Sequence, residues 1–339
     1  MGKRKILEWN DIQDEFNDTI LLGNGASIAI DNRFRYKSLL TEARKKRLIS
    51  KEIESLFDYF RTQDFEFILS RVWHTYHINK ALKIKDKITL TAYNQIRDAL
   101  IRVIHDIHPE YADIERYLSP ISTFLSKFKT VLSLNYDLII YWAMLYSNER
   151  YKRIKFKDCF QKSRFNYDWE EYRKPISGAK KTTLVFYPHG NLILANLIDG
   201  SEKKLKKGRI KNLLDQIIEF WNSKSYTPLF VSEGDSEQKL IAIRRSSYLD
   251  IVYNSILPSV ENSIVIYGCS LDGNDDHIIE SIFSSSIEKV AVSVYTGSDD
   301  YKDYCERVSK KLRMYSERAR KKITYCFYDS ESKNCWINS

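Results

Sequence analysis

Glycine is scarce in this chain. Its 339 residues include only 11 glycines, about half the usual density. None lies between Asn32 and Ser177, and in that stretch only Pro109, Pro120 and Pro175 break the run. Long apolar runs are also missing: none reaches the ~18 residues of a membrane span. The five cysteines, Cys159, Cys269, Cys305, Cys326 and Cys335, are odd in number and form no C-x-x-C pair. That excludes a secreted disulfide framework and a structural zinc site, and they read as ordinary reduced thiols. A signal peptide is missing as well. Basic Met1-Gly2-Lys3-Arg4-Lys5 is followed by Glu8, Asp11 and Asp14, where an apolar core would stand. The chain therefore reads as soluble and cytoplasmic, with no membrane contact.

What is present describes a folded protein. A hydrophobic share of 43% and an aromatic share of 13% exclude disorder. The length suits one large domain or two ordinary ones. The net charge of +9 gathers in two places. Lys203, Lys204, Lys206, Lys207, Arg209 and Lys211 make a basic loop. Lys310, Lys311, Arg313, Arg318, Arg320, Lys321 and Lys322 lie on a late helix. Both fit solvated faces, or attraction to an acidic partner. No aromatic platforms interleave the lysines and no known binding motif appears, so nucleic-acid binding is disfavoured.

Periodicity divides the chain. Thr19-Ile20-Leu21-Leu22 reads as a buried strand. Over 36–127 apolar residues recur at helical spacing, as in Ile96, Leu100, Ile101 and Ile104. That predicts a large helical insertion after the first strand. Strands are then expected at Thr130–Leu134, Thr183–Tyr187, Pro228–Val231, Ser263–Tyr267, Val290–Tyr295 and Ile323–Phe327, with helices between them. The region 149–211 is basic and aromatic, with loops and a possible hairpin. Near-continuous apolar strands alternating with helices predict an α/β fold with a parallel sheet covered on both faces. No internal repeat is visible.

Seven glycines, at 23, 25, 190, 234, 268, 273 and 297, fall just past expected strands. Such turns need glycine in any case. In a parallel sheet they also mark where backbone approaches a ligand beyond the strand ends. Ser27, Asn135, Asp137, His189 and Ser270 share those strand ends. Gly23-Asn24-Gly25 lacks the third glycine of a dinucleotide fingerprint, since Ile28 stands there, which disfavours an ordinary hydride-transfer enzyme.

Four motifs together resemble the sirtuin-like superfamily, in particular its bacterial antiphage-defence branch of NAD hydrolases. Gly23-Asn24-Gly25-Ala26-Ser27 looks like the glycine-rich NAD loop. Ser133-Leu134-Asn135-Tyr136-Asp137 looks like the Thr-x-Asn-x-Asp segment, and Pro188-His189-Gly190 like the catalytic His-Gly. Gly268-Cys269-Ser270-Leu271, with Asp275-Asp276 and Ile278, looks like the late Gly-x-Ser segment. The likeness spans 21–280 and implies one Rossmann-like domain over 1–339. Zinc-ribbon cysteines are missing, and Leu134 stands where deacetylases carry glutamine, which points from deacylation to hydrolysis of NAD by water.

The resemblance implies Asn135 and His189 as catalytic residues. It implies Gly23, Asn24, Gly25, Ala26, Ser27, Asp137, Gly268 and Ser270 as NAD-binding residues, with NAD as substrate and no metal. It also implies a toxic effector kept inactive until triggered, as a homo-oligomer or by a sensor protein, an ATPase or nucleotide-binding partner of the same system. The alternative is a non-catalytic NAD- or nucleotide-binding regulatory module.

The chemistry suits those residue types. Cleaving the nicotinamide–ribose bond builds positive charge on the ribose, and the leaving group needs no proton. An uncharged amide such as Asn135 can orient water or a ribose hydroxyl, and His189 can take a proton. Structural roles remain open for each. Asn135, and Asp137 better still, fit helix capping, and His189 fits a turn residue. Ser270 and Asp275 also fit caps. His74 with His77, and His105 with His108, have helical spacing that carries no metal motif. Ser232, Glu233 and Lys239 have no assigned role, and His277 either approaches the cleft or is solvated.

Overall fold

Every residue of Thr19–Leu22 is buried, and the fold is built outward from that strand. The structure, a computed structural model, describes residues 5–35, 38–176, 178–197, 200–205, 213–222, 226–231 and 235–338. The chain opens with β1 (Ile6–Leu7), α1 (Trp9–Ile12), β2 (Thr19–Leu22) and α2 (Asn24–Ile28). The expected insertion follows as α3 (Leu39–Lys45), α4 (Lys51–Tyr59), α5 (Phe65–Ala81), α6 (Ile88–Ile107) and α7 (Tyr111–Leu125). Next come β3 (Thr130–Ser133), α8 (Ile139–Arg150), β4 (Ile154–Lys157), the hairpin β5 (Phe160–Gln161) and β6 (Arg164–Phe165), and β7 (Lys181–Phe186). Then follow β8 (Gly190–Leu197), β9 (Glu202–Lys204), α9 (Leu213–Asn222), β10 (Tyr226–Phe230), α10 (Ser236–Ile243) and α11 (Ser247–Ile251). The last elements are β11 (Glu261–Tyr267), α12 (Asp276–Phe283), β12 (Ser286–Val294), α13 (Tyr301–Arg318) and β13 (Thr324–Asp329).

Among the described residues, eight strands form one sheet in the order β1-β13-β12-β11-β2-β3-β7-β4. Every pairing in it is parallel. This is the expected Rossmann-like α/β sheet, buried on both faces as its continuous apolar strands require. The chain leaves β2 toward β3 and later returns on β2's other side as β11. The switch point therefore lies between β2 and β11, and a crevice opens at the carboxyl ends there.

The insertion folds by ordinary helical rules. Ser50 and Asp64 cap α4 and α5 by accepting from Ile53 N and Phe67 N at 3.4 and 3.0 Å. On α6, Tyr93, Ile96, Leu100, Ile104 and Ile107 form one buried stripe, and the helix packs against α3, α4, α5 and α9. Leu100 is fully buried, so Leu100→Ala is expected to cost about 2–5 kcal/mol. Among the described residues no helix is long and apolar enough to cross a membrane.

One expected strand belongs elsewhere. The segment around Pro228–Val231 is β10, which pairs antiparallel with β8 in a separate sheet ordered β10-β8-β9. An apolar run of this length states that a strand exists, not which sheet it joins. Gly190 makes the departure possible. Its φ is +77°, in the region that favours glycine. A Cβ there would also strike Leu229 O and lie 2.6 Å from Phe230 Cα. Its glycine therefore serves the crossing of β8 and β10. Gly234, with Ser232 and Glu233, lies outside the described residues, as does the basic loop from 206 to 212. Lys203 and Lys204 are strand residues in β9, and Lys204 pairs with buried Asp158 at 2.7 Å.

Candidate functional site

The strand ends of β2, β3 and β11 and the turn after β7 border one cavity of about 1410 Å³. Gly23, Asn24, Gly25, Asn135, Asp137, His189, Gly268 and Ser270 all line it. Ala26 and Ser27, expected beside them, are buried behind the lining. Ala26 O accepts from Trp336 Nε1 at 3.0 Å, which fixes the turn from behind.

The glycines do something other than expected. Gly23 N donates to Tyr267 O at 2.9 Å and Gly25 N to Gly268 O at 2.8 Å. Both N–H groups thus bind the neighbouring turn and are not open to a phosphate. Gly268 has φ +69°, and a Cβ on it would lie 2.8 Å from the Gly25 carbonyl carbon. A Cβ on Gly25 would meet Gly268 Cα at the same distance. The two turns interlock across the switch point, and side chains would force them apart.

Behind this floor lies a closed polar network. Ser27 Oγ donates to Asp137 Oδ2 at 2.5 Å and accepts from Asn135 Nδ2 at 2.8 Å. Asn135 Nδ2 also donates to Gly23 O at 3.0 Å. Both amide protons are spent, and because Gly23 O only accepts, the orientation of the amide is fixed. Asn135 therefore offers its carbonyl Oδ1 to the cavity. Asp137 Oδ1 accepts from Ile139 N at 2.9 Å, so this carboxylate caps α8 and anchors Ser27 together. Burial lifts its pKa to about 6, with the Ser27 and Ile139 bonds working against that rise. The Ser27 hydroxyl, expected among the NAD-binding groups, is thus committed to Asn135 and Asp137.

His189 stands on the facing side and is buried. Its Nε2 lies 3.1 Å from Nε2 of His277, and the rings stack at 5.3 Å. His277 Nδ1 lies 3.0 Å from Ser236 Oγ, which also accepts from His277 N at 3.0 Å. A capping box of Asp235 and Gln238 starts α10 and sets Ser236 in place. Lys239, one turn on, pairs with Asp275 Oδ1 at 2.7 Å, and that oxygen is 3.9 Å from His189 Nε2. Asp275 makes no side-chain cap to α12. Burial drives the His189 pKa well below its ordinary value, and nearby Lys239 adds to this. Burial likewise takes His277 to about 4. Both rings are neutral near pH 7.

His277 and Ser236 carried no local signal of this role. The helix start at Asp275-Asp276 left His277 open between the cleft and solvent, and Ser236 comes 41 residues before His277. Arg35 was also missed. It lines the cavity beside Asn24, whose Nδ2 holds Phe34 O at 3.1 Å, and makes no ion pair among the described residues.

Other groups have structural places. His108 is buried, with Nδ1 on Pro109 O at 2.8 Å and Nε2 accepting Leu138 N at 2.9 Å. All five cysteines are free thiols. Burial raises the Cys269 thiol, so no thiolate nucleophile faces the cavity there. Lys311 and Arg318 on α13 pair with Asp276 and Glu280 of α12, which accounts for part of the late basic run. Among the described residues no three His, Cys, Asp or Glu side chains gather as a metal site. No curated protein matches the chain. The family model described as "Domain of unknown function (DUF4917)" matches residues 20–336, nearly the whole length, and the chain belongs to that family.

Proposed function

We propose that the protein hydrolyses NAD to nicotinamide and ADP-ribose. The observation that carries this reading is Asn135 Oδ1 and the His189 ring bordering one cavity beside the Gly23–Gly25 turn. The cavity exceeds the roughly 300–1,000 Å³ of drug-sized ligand sites, which suits a dinucleotide. In the proposed reaction the C1′–N1 bond breaks and its electron pair leaves with nicotinamide, which departs neutral. Positive charge passes to the ribose, and Asn135 Oδ1 holds the attacking water or a ribose hydroxyl. Water bonds to C1′ and gives its proton to His189. A water already bonding to an oxocarbenium carbon is strongly acidic, so a histidine of depressed basicity suffices. With the Gly23 and Gly25 N–H groups occupied, Arg35 is the cation we assign to the diphosphate. The ends of β11, β12 and β13 would take the adenosine half, with Ser270 at its ribose.

The motif order noted in the sequence extends this to a toxic effector of an antiphage defence system. We propose that it stays inactive until triggered, by homo-oligomerisation or by a sensor partner such as an ATPase. The test incubates the protein with NAD, with and without the products of neighbouring genes, and follows nicotinamide. Release that Asn135→Ala and His189→Ala abolish, with the fold intact, supports the reading. NAD binding without release under every condition would instead identify a regulatory binding module.

A further inference from the structure

We infer that His189, His277 and Ser236 form a proton relay from the cavity to the first turn of α10, with His277 as the positioning residue at its centre. The inference rests on the proposal that His189 takes a proton inside the cavity. His189 borders the cavity and His277 does not. Since His189 Nε2 is bound to His277 Nε2, Nδ1 is the ring nitrogen left for substrate, and among the described residues nothing else bonds it.

Two neutral imidazoles joined through their Nε2 atoms share one proton. If His189 owns it, Nδ1 of His189 is a bare lone pair, ready to accept. His277 is then protonated on Nδ1 and donates to Ser236 Oγ, 3.0 Å away. Ser236 can accept that bond beside the one from His277 N, because a hydroxyl oxygen has two lone pairs. In the opposite arrangement Ser236 donates inward and His189 Nδ1 carries a proton it cannot accept again. The outward chain is therefore the state competent to react.

The proton balance is simple. A proton from water arrives on His189 Nδ1, and the His189 Nε2 proton crosses to His277 Nε2. The His277 Nδ1 proton passes to Ser236 Oγ, and the original Ser236 proton leaves to solvent. One proton enters and one departs while the cavity stays filled by the ribose, and the chain is left in the inward arrangement. When ADP-ribose leaves, His189 Nδ1 gives its proton to water in the opened cavity, the Nε2 and Nδ1 protons shift back and Ser236 takes one from solvent, which restores the outward chain. Ser236 is partly exposed, whereas both rings are buried. Asp275, with an oxygen 3.9 Å from His189 Nε2, would steady the transient positive charge, as would Asp276 near His277. Lys239 opposes it but is tied to Asp275 at 2.7 Å. The Tyr253 ring also stacks with His277, centroids 6.3 Å apart.

The test uses the full chain labelled with ¹⁵N-histidine, whose six histidines are assigned by substitution, together with nicotinamide release. The wild type is expected to show His189 protonated on Nε2 and His277 on Nδ1. His277→Phe is expected to free the His189 tautomer and cut kcat about ten-fold or more, with NAD affinity kept. His277→Gln supplies a carbonyl acceptor, so it should keep the His189 tautomer yet remain slow, because an amide cannot pass the proton on. It also stands in should the Phe variant not fold. His189 protonated on Nδ1 in the wild type would overturn the relay, as would either variant turning over at the wild-type rate. The expected tautomers with no release from the wild type would leave the hydrogen-bond chain standing and overturn the NAD reading instead.

Discussion

Asn135 and His189 follow neighbouring strands, β3 and β7, yet the two banks of the crevice are built on opposite lines. On the Asn135 bank every proton is assigned. Ser27 joins Asn135 to Asp137, Asp137 caps α8, and both amide protons are spent. On the His189 bank one proton lies between two rings that can each hold it. The first bank can only hold a ligand in place. The second can pass a proton without moving a heavy atom. The proposed cleavage of NAD by water would draw the first property from one bank and the second from the other.

The largest loss is expected at the Asn135 bank. Asn135→Ala removes Oδ1, and nicotinamide release is expected to fall about 10³-fold, on the scale of losing one preorganised polar group. A smaller loss, about 10²-fold, is expected for His189→Ala, on the scale of general-base help. Steady-state nicotinamide assays beside NAD titration calorimetry check both. Ser27→Ala should be milder in rate but should also weaken the fold. It strips a hydrogen bond from buried Asp137 and another from Asn135, costing about 1–3 kcal/mol, which urea unfolding would read.

A pH experiment sharpens the fixed bank further. His108 is buried neutral with a pKa of about 4 against an ordinary 6.5. The unfolded chain takes up that proton first, so stability is lost as pH falls from about 6.5 to 4. Asp137 acts in the other direction. Its pKa is lifted to about 6 from 3.8, so its contribution is lost as pH rises through that window. Each shift corresponds to about 3 kcal/mol, and the two largely offset one another between pH 4 and 6. Asp137→Asn keeps a capping oxygen and removes the second slope. His189 and His277, also buried with lowered pKa values, add to the loss on acidification in both proteins, so between pH 6 and 4 the unfolding free energy of Asp137→Asn should fall by about 3 kcal/mol more than that of the wild type.

The smallest expected effect concerns the far lobe. Asp300, Asp303 and Glu331 line it, against Arg307, which is engaged with Leu271 O at 2.9 Å. A 2′-phosphate there would face like charge. NADP should therefore bind about ten-fold more weakly than NAD in calorimetry.

Much of the fold was legible because burial on both faces leaves a plain mark. β2, β3, β7, β11, β12 and β13 are short apolar runs after which a turn residue follows, and the helical stripe of α6 is equally direct. What the sequence could not carry was partnership. Leu192-Ile193-Leu194 gave no sign that β8 leaves the sheet, because that depends on Gly190 meeting Leu229 and Phe230 from 39 residues or more away. Ser27 looked like a ligand hydroxyl because its true partner, Asp137, lies 110 residues on. His189 stood out between Pro188 and Gly190, whereas His277 was left open between cleft and solvent, since its burial is made by α10 and by the His189 ring.

On the proposed reading this crevice cuts NAD at its nicotinamide bond. The most direct measurement is nicotinamide release from NAD by the full chain, made alone and with the products of its neighbouring genes, beside Asn135→Ala. The wild type is expected to release nicotinamide, and Asn135→Ala to lose release with NAD still bound. Wild-type protein that releases no nicotinamide in any of those conditions, or an Asn135→Ala variant that releases it at the wild-type rate, would contradict it.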